Sequence, residues 1–136
     1  MAATAATPDD QAAIGKLLRT YTDAVSRKDR ARFETLLLGT DIPFAYVPPS
    51  PTRLSAPAWR DYETFKRGVF EGEPFTQTFH DVHVRIHGAL ADVDLVYVNT
   101  DATGAHPGYK TMQLIRVNGT WKIASELFTD LPEGAR

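Results

Sequence analysis

Between Phe75 and Thr129 apolar and polar residues alternate with a period of two through four consecutive stretches: Phe75–His87, Ala89–Asp101, Tyr109–Val117 and Thr120–Thr129. They are separated by Gly88, by the segment Ala102–Gly108 and by Asn118-Gly119. Asn-Gly is the strongest short hairpin signal, because both residues accept the positive φ angles of a type I′ turn. Short connections of this kind join antiparallel neighbours, whereas parallel strands need a long crossover. The C-terminal half is therefore expected to form a four-stranded antiparallel meander, with no parallel strand and no helix within Val82–Val98.

The N-terminal half has the helical period instead. Thr7-Pro8-Asp9-Asp10 opens a helix: a threonine cap, proline in the first turn and acids beside the free amides. Ile14, Leu17, Leu18, Tyr21 and Val25 then form one apolar stripe. Asp29 opens a second helix with Phe33, Leu36 and Leu37 on its apolar side, and Gly39 ends it. Ile42, Phe44 and Tyr46 mark a short strand, stopped by Pro48, Pro49 and Pro51. A third helix is expected over Ala56–Phe70, opened by Pro57 and carrying Trp59, Tyr62, Phe65 and Val69. The order ααβα followed by a meander describes one α+β domain over residues 8–130, with a flexible leader at 1–7 and a tail at 131–136.

Composition narrows the function. With 136 residues, 43% of them hydrophobic, the chain can bury a core without a metal or disulfide staple. It has no cysteine, which removes disulfides, thiolate metal sites and cysteine nucleophiles. The 15 Lys+Arg and 17 Asp+Glu leave a net charge of −2 with no basic run, so nucleic acid is not the expected partner. No apolar stretch approaches the roughly 20 residues that span a bilayer. The expectation is a cytoplasmic protein.

If Asn118-Gly119 is a two-residue hairpin, it sets which residues share a face. Gln113 then opposes Ala124, Thr111 opposes Glu126 and Tyr109 opposes Phe128 on a mixed polar and aromatic face. The other face carries Met112, Leu114, Ile123 and Leu127, with Arg116 opposite Trp121. The first face suits either a pocket wall, which needs a few polar groups on an aromatic background, or a wet surface. His83 and His87 flank Arg85 on a polar strand face and, beside that cation, are not expected to hold a metal. His106 falls in the Ala102–Gly108 loop. His80 shares the parity of Val82, Val84 and Ile86 and so points inward, as a core residue or as a proton-active group. His80 and Glu126 are the candidates for an acid–base step. Tyr21, Tyr46, Trp59, Tyr62, Tyr97 and Phe128 supply aromatic surface, and buried phenols want hydrogen-bond partners. Asn99 shares the Tyr97 face and adds a donor and an acceptor.

The element order, together with YTDAVSRKDRARFETLL from Tyr21 to Leu37 and NGTWKIASELF from Asn118 to Phe128, resembles the nuclear transport factor 2-like superfamily. Its members include SnoaL-like polyketide cyclases, ketosteroid isomerase, scytalone dehydratase and limonene epoxide hydrolase. The resemblance implies a curved, mostly antiparallel sheet wrapped around three helices, a cone-shaped pocket, and frequent dimerisation through the sheet. It places Gln113 and Glu126 inside that pocket. The isomerase's tyrosine donor falls on or beside Tyr21, and its oxyanion-holding acid falls on Gln113. Its base has no carboxylate counterpart in Ala45-Tyr46-Val47. The epoxide hydrolase's Arg-x-Asp pair falls on Leu95-Val96-Tyr97, and its second aspartate on Glu126. The cyclases' acid falls on Thr129, beside Asp130. No one member's mechanism is complete in this chain.

Three functions remain in view: an isomerase, dehydratase or cyclase needing only acid–base groups and no cofactor; a non-catalytic binding protein; or an association module. The first is favoured, with His80, Glu126 and Tyr21 as catalytic candidates. Tyr46, Trp59, Tyr62, Tyr97, Asn99, Gln113 and Phe128 would bind a small apolar or aromatic molecule. With no Lys or Arg expected on that face, uncharged flat ligands are preferred. A two-fold homodimer is expected, because three helices cannot cover both faces of the sheet.

Overall fold

The computed structural model describes residues 8–50 and 61–132. Helix α1, Pro8–Ser26, buries Ile14, Leu17, Leu18, Tyr21 and Val25 along one side, as the stripe requires. Helix α2, Arg30–Glu34, is capped by Asp29, whose carboxylate accepts from the Arg32 amide at 3.2 Å. It ends well before Gly39 because sheet pairing competes for the next residues. The Leu38 amide donates to the Ile123 carbonyl and the Ile123 amide to the Leu36 carbonyl, both at 2.8 Å. Strand β1 is Phe44–Tyr46, and helix α3 is Tyr62–Phe70. The cap of α3 is Asp61, which accepts from the Thr64 amide at 3.2 Å; the expected opening at Pro57 lies outside the described residues.

Four long strands follow: β2 Thr76–His87, β3 Leu90–Asp101, β4 Gly104–Val117 and β5 Thr120–Asp130. The sheet order is β1-β5-β4-β3-β2. The meander is antiparallel throughout, and Asn118 and Gly119 take φ of 49° and 79°, the left-handed values expected of that hairpin. Two expectations are corrected. Strand β1 joins the edge of β5 in parallel, with Phe44 beside Glu126 and Tyr46 beside Phe128. Most of the segment Ala102–Gly108 is strand and not loop. The turn is only Ala102-Thr103, where the Asp101 carboxylate accepts from the Thr103 amide at 2.8 Å and its hydroxyl at 2.6 Å.

Two bulges set the faces of the sheet. In β2, His80 pairs with Val96 and His83 with Asp94, so Asp81 and Val82 stand against Leu95 alone, and Asp81 has φ of 51°. In β5, Ile123 pairs with Leu114 and Ser125 with Gln113, leaving Ala124 as the extra residue. Each inserted residue reverses inside and outside for the strand beyond it. The helices cover the face that carries Ala91, Val93, Leu95, Tyr97, Met112, Leu114, Trp121 and Ile123, all buried. Asp10 of α1 ties to this face, accepting from the Arg116 guanidinium at 2.9 Å and the Trp121 indole at 3.1 Å. Lys28, just past α1, donates to the carbonyls of Val69 at 2.6 Å and Glu73 at 3.1 Å, and so holds the end of α3.

Candidate active site

Beyond its bulge β5 continues on the helix-covered face with Glu126, which is 0% exposed. Its cross-strand neighbourhood on β4 includes Lys110, 1% exposed, on the same side as Met112 and Leu114. Tyr21, one helical turn before the end of α1, completes the group. The Tyr21 hydroxyl donates to the Glu126 carboxylate, with Oη 2.8 and 2.9 Å from its two oxygens. Lys110 Nζ donates to Tyr21 Oη at 2.5 Å and lies 3.1 Å from Glu126 Oε2. These roles describe an ammonium, a neutral phenol and a carboxylate.

Such a pair is costly to bury unless each charge finds its partner. Burial pushes the Glu126 carboxyl up and the Lys110 ammonium down, and each group's opposite charge works against the other's shift. The Tyr21 phenol is pushed well up by burial and then by the Glu126 charge, so it stays protonated. Aromatic rings surround the ammonium: Tyr21 at 4.4 Å, Phe128 at 5.1 Å and Tyr97 at 5.2 Å from Nζ to the ring centroid. Their faces attract the cation where water cannot.

Lys110 forms part of the wall of a cavity of about 400 Å³ between α3 and the sheet. Phe44, Phe65, Phe75, Tyr97 and Phe128 make it largely aromatic, and Tyr46, Asp61, Thr64, Gln77 and Asn99 add polar groups. Tyr97 is packed over Gly108, where any Cβ would meet its ring at 2.0 Å, and its hydroxyl donates to the Thr129 carbonyl at 3.2 Å. The Gln77 amide is anchored through Ser26, whose Oγ accepts from the Gln77 backbone at 2.9 Å.

The structure brings Tyr21 and Glu126 together, and it places Tyr97, Phe128, Asn99 and Tyr46 at the cavity. Tyr46 sits at the rim, 44% exposed, donating to Asp130 at 2.6 Å. Tyr62 is instead buried in the core beside the cavity, donating to Glu34 at 2.7 Å. Trp59 lies outside the described residues. Two placements are corrected, each by a bulge. Gln113 lies on the opposite face from Glu126, hydrogen-bonded to Ser125, because Ala124 shifts the register. His80 pairs with Val96 on the outer face and bonds Thr78 at 2.8 Å, because the parity of Val84 and Ile86 does not carry across Asp81.

Lys110 was not anticipated, nor were Gln77, Asp61 and Phe65 at the cavity. A lysine two residues before Met112 and four before Leu114 stands on an apolar strand face, and that position was the available signal. It also corrects the expectation that no cation reaches the pocket.

No sequence family and no curated protein matches this chain. Among solved structures, it is similar to a cystatin-like fold protein of unknown function from Nostoc punctiforme, with a TM-score of 0.74 and 11% identity over 96% of this chain and 97% of that one. It is also similar to a candidate dehydratase of the nuclear transport factor 2-like family from Streptomyces avermitilis, with a TM-score of 0.72 and 19% identity over 93% and 99%. A third likeness is to a candidate scytalone dehydratase from Novosphingobium aromaticivorans, with a TM-score of 0.70 and 15% identity over 91% and 85%. At these identities the likeness is one of fold: the chain has the nuclear transport factor 2-like, cystatin-like fold.

Proposed function

We propose that this chain, with its nuclear transport factor 2-like fold, binds a mostly apolar, cyclic, oxygen-bearing molecule and transforms it by proton transfer. Isomerisation, dehydration or cyclisation of a polyketide- or steroid-like substrate fits such a site. The observation that carries the reading is the buried Lys110 ammonium, held by Glu126 and Tyr21 in the wall of a largely aromatic cavity. An ammonium fixed in a dry site stabilises negative charge that develops on a substrate oxygen, and it does so without reorganising. Lys110 donates to that oxygen, Glu126 keeps the lysine charged against its desolvation, and Tyr21 fixes both. Asp61, the one carboxylate among the described cavity-lining residues, takes the substrate proton.

The test is solvent-deuterium exchange at the α-carbon of a panel of cyclic ketones, followed by NMR. Exchange should be accelerated by the wild type and fall about a hundredfold in Asp61→Asn, which keeps a competent helix cap, and in Glu126→Gln. His80→Ala should leave it unchanged. Ketones that bind without accelerated exchange would make this a binding protein and not an enzyme.

We also propose a two-fold homodimer across the outer face of the sheet. Val96 pairs with Tyr109 there, Leu127 lies beside Thr111, and Tyr109 is 38% exposed. An apolar sheet centre of this kind is a usual protein-contact surface. Sedimentation at tens of micromolar should give a dimer, and Tyr109→Glu should give a folded monomer. A strictly monomeric wild type would overturn this proposal and leave the cavity reading intact.

A further inference from the structure

The contacts among Lys110, Tyr21 and Glu126 close into a ring, and a ring of this kind can hold its protons in two ways. Lys110 Nζ donates to Tyr21 Oη at 2.5 Å, and Tyr21 Oη donates to Glu126 Oε1 at 2.8 Å. The third side is the 3.1 Å contact from Nζ to Glu126 Oε2. At rest the extra proton is on nitrogen, as an ammonium beside a carboxylate. When Nζ gives a proton to Oη and Oη gives its own to the carboxylate, the three become an amine, a phenol and a carboxylic acid. The direct contact with Oε2 offers the same transfer in one step. Burial favours this uncharged arrangement, because it raises the Glu126 carboxyl and lowers the Lys110 ammonium.

An ammonium has no lone pair, whereas a desolvated lysine amine attacks carbonyl carbon. Of the five lysines in the chain, Lys110 is the one that lines the aromatic cavity. The other four are committed elsewhere or open to solvent. Lys28 donates to the Val69 and Glu73 carbonyls, Lys122 donates to the Thr35 carbonyl, Lys66 pairs with Glu63 at 3.0 Å, and Lys16 is exposed on α1.

We infer that Lys110 captures an aldehyde in the aromatic cavity as an imine, with Glu126 carrying the protons. This activity goes beyond proton transfer on a ketone, and it rests on the same cavity being the ligand site. The Nζ lone pair attacks the carbonyl carbon, and the carbonyl π pair moves to oxygen, which takes the proton held by Glu126. The nitrogen, now cationic, returns a proton to Glu126, leaving a neutral carbinolamine. Glu126 then protonates the hydroxyl, the nitrogen lone pair forms the C=N bond, and water departs with the C–O pair. The protonated imine stands opposite the Glu126 carboxylate as the ammonium did, so the group ends with the charges it began with. Nothing is oxidised or reduced. An aldehyde is the class that fits, because its carbonyl carbon carries a hydrogen and is approached without the crowding of a ring ketone.

The test is reductive trapping on the whole chain near neutral pH. Cyanoborohydride adds hydride to a protonated imine and fixes the aldehyde on nitrogen as a secondary amine. With 2-naphthaldehyde, peptide mass spectrometry should find Lys110 labelled at least about tenfold faster than Lys16, Lys28, Lys66 or Lys122, because the desolvated amine is less protonated. Glyceraldehyde, which is polar and does not partition into an aromatic cavity, should label the solvent-exposed lysines without that preference. Calorimetry with 2-naphthaldehyde alone separates binding from chemistry. Binding without faster labelling of Lys110, or an equal preference for Lys110 with glyceraldehyde, would overturn the inference alone. Neither binding nor labelling of Lys110 would overturn the ligand-site reading with it.

Discussion

Lys110→Met is expected to destabilise the protein by about 3–5 kcal/mol near pH 8, the usual cost of removing one partner from a buried ion pair. For a domain of this size that lowers the melting temperature by roughly 10–20 °C. The deficit should shrink in acid, for the following reason. Burial already raises the Glu126 carboxyl above its ordinary value of 4.5, and the Lys110 charge is the largest effect opposing that rise. Without Lys110 the folded-state pKa climbs further. An acid whose folded pKa exceeds its unfolded one holds extra protons when folded, so its contribution is fully present below the unfolded pKa. That contribution is lost as pH rises through the folded value. Thermal melts of the variant should therefore show the smallest loss near pH 4.5 and the largest near pH 8. Adding Glu126→Gln removes the lone buried charge and should flatten this profile while recovering part of the stability. A deficit of the same size at both pH values would mean that Lys110 contributes packing and not charge.

Phe33→Ala should cost about 3–5 kcal/mol at any pH, the range for truncating a fully buried phenylalanine. Phe33 is 0% exposed and touches four rings from two elements, α1 and α3: Tyr21 at 4.8 Å, Phe65 at 5.4 Å, Phe70 at 5.5 Å and Tyr62 at 6.2 Å between centroids. It meets Tyr21 edge-on, so its loss frees the ring whose hydroxyl bonds Lys110 and Glu126. Denaturant melts should show the loss. Phe33→Leu should recover most of the stability but less of the ketone exchange rate, because it refills volume without restoring the ring contact. Full stability in Phe33→Ala would show that the surrounding rings collapse into the space.

How far the sequence reaches is clearest where it comes closest. The alternation from Phe75 onward and the Asn118-Gly119 turn led to the meander, and the stripe from Ile14 to Val25 led to α1. Those signals are local: a period of two or of 3.6, and residues that tolerate positive φ, are visible in a few positions at a time. Tyr21 and Glu126 were legible as candidates through the resemblance, and Lys110 could have been found as a lysine on the apolar parity of β4.

What only the tertiary structure decided was which face each candidate occupies and what it meets. One extra residue at Ala124 separates Gln113 from Glu126, and the irregularity at Asp81–Val82 turns His80 outward. Neither insertion breaks the alternation enough to be noticed, because a bulge is a question of how many residues stand opposite one another across two strands. The parallel pairing of β1 with β5 likewise depends on an edge that exists only once the meander has formed. The charge of Lys110 acquires its meaning last. Glu126 stands only in the next strand of the same hairpin, yet the extra residue at Ala124 decides that it shares the face of Lys110, and the phenol that joins them lies 89 residues from the lysine.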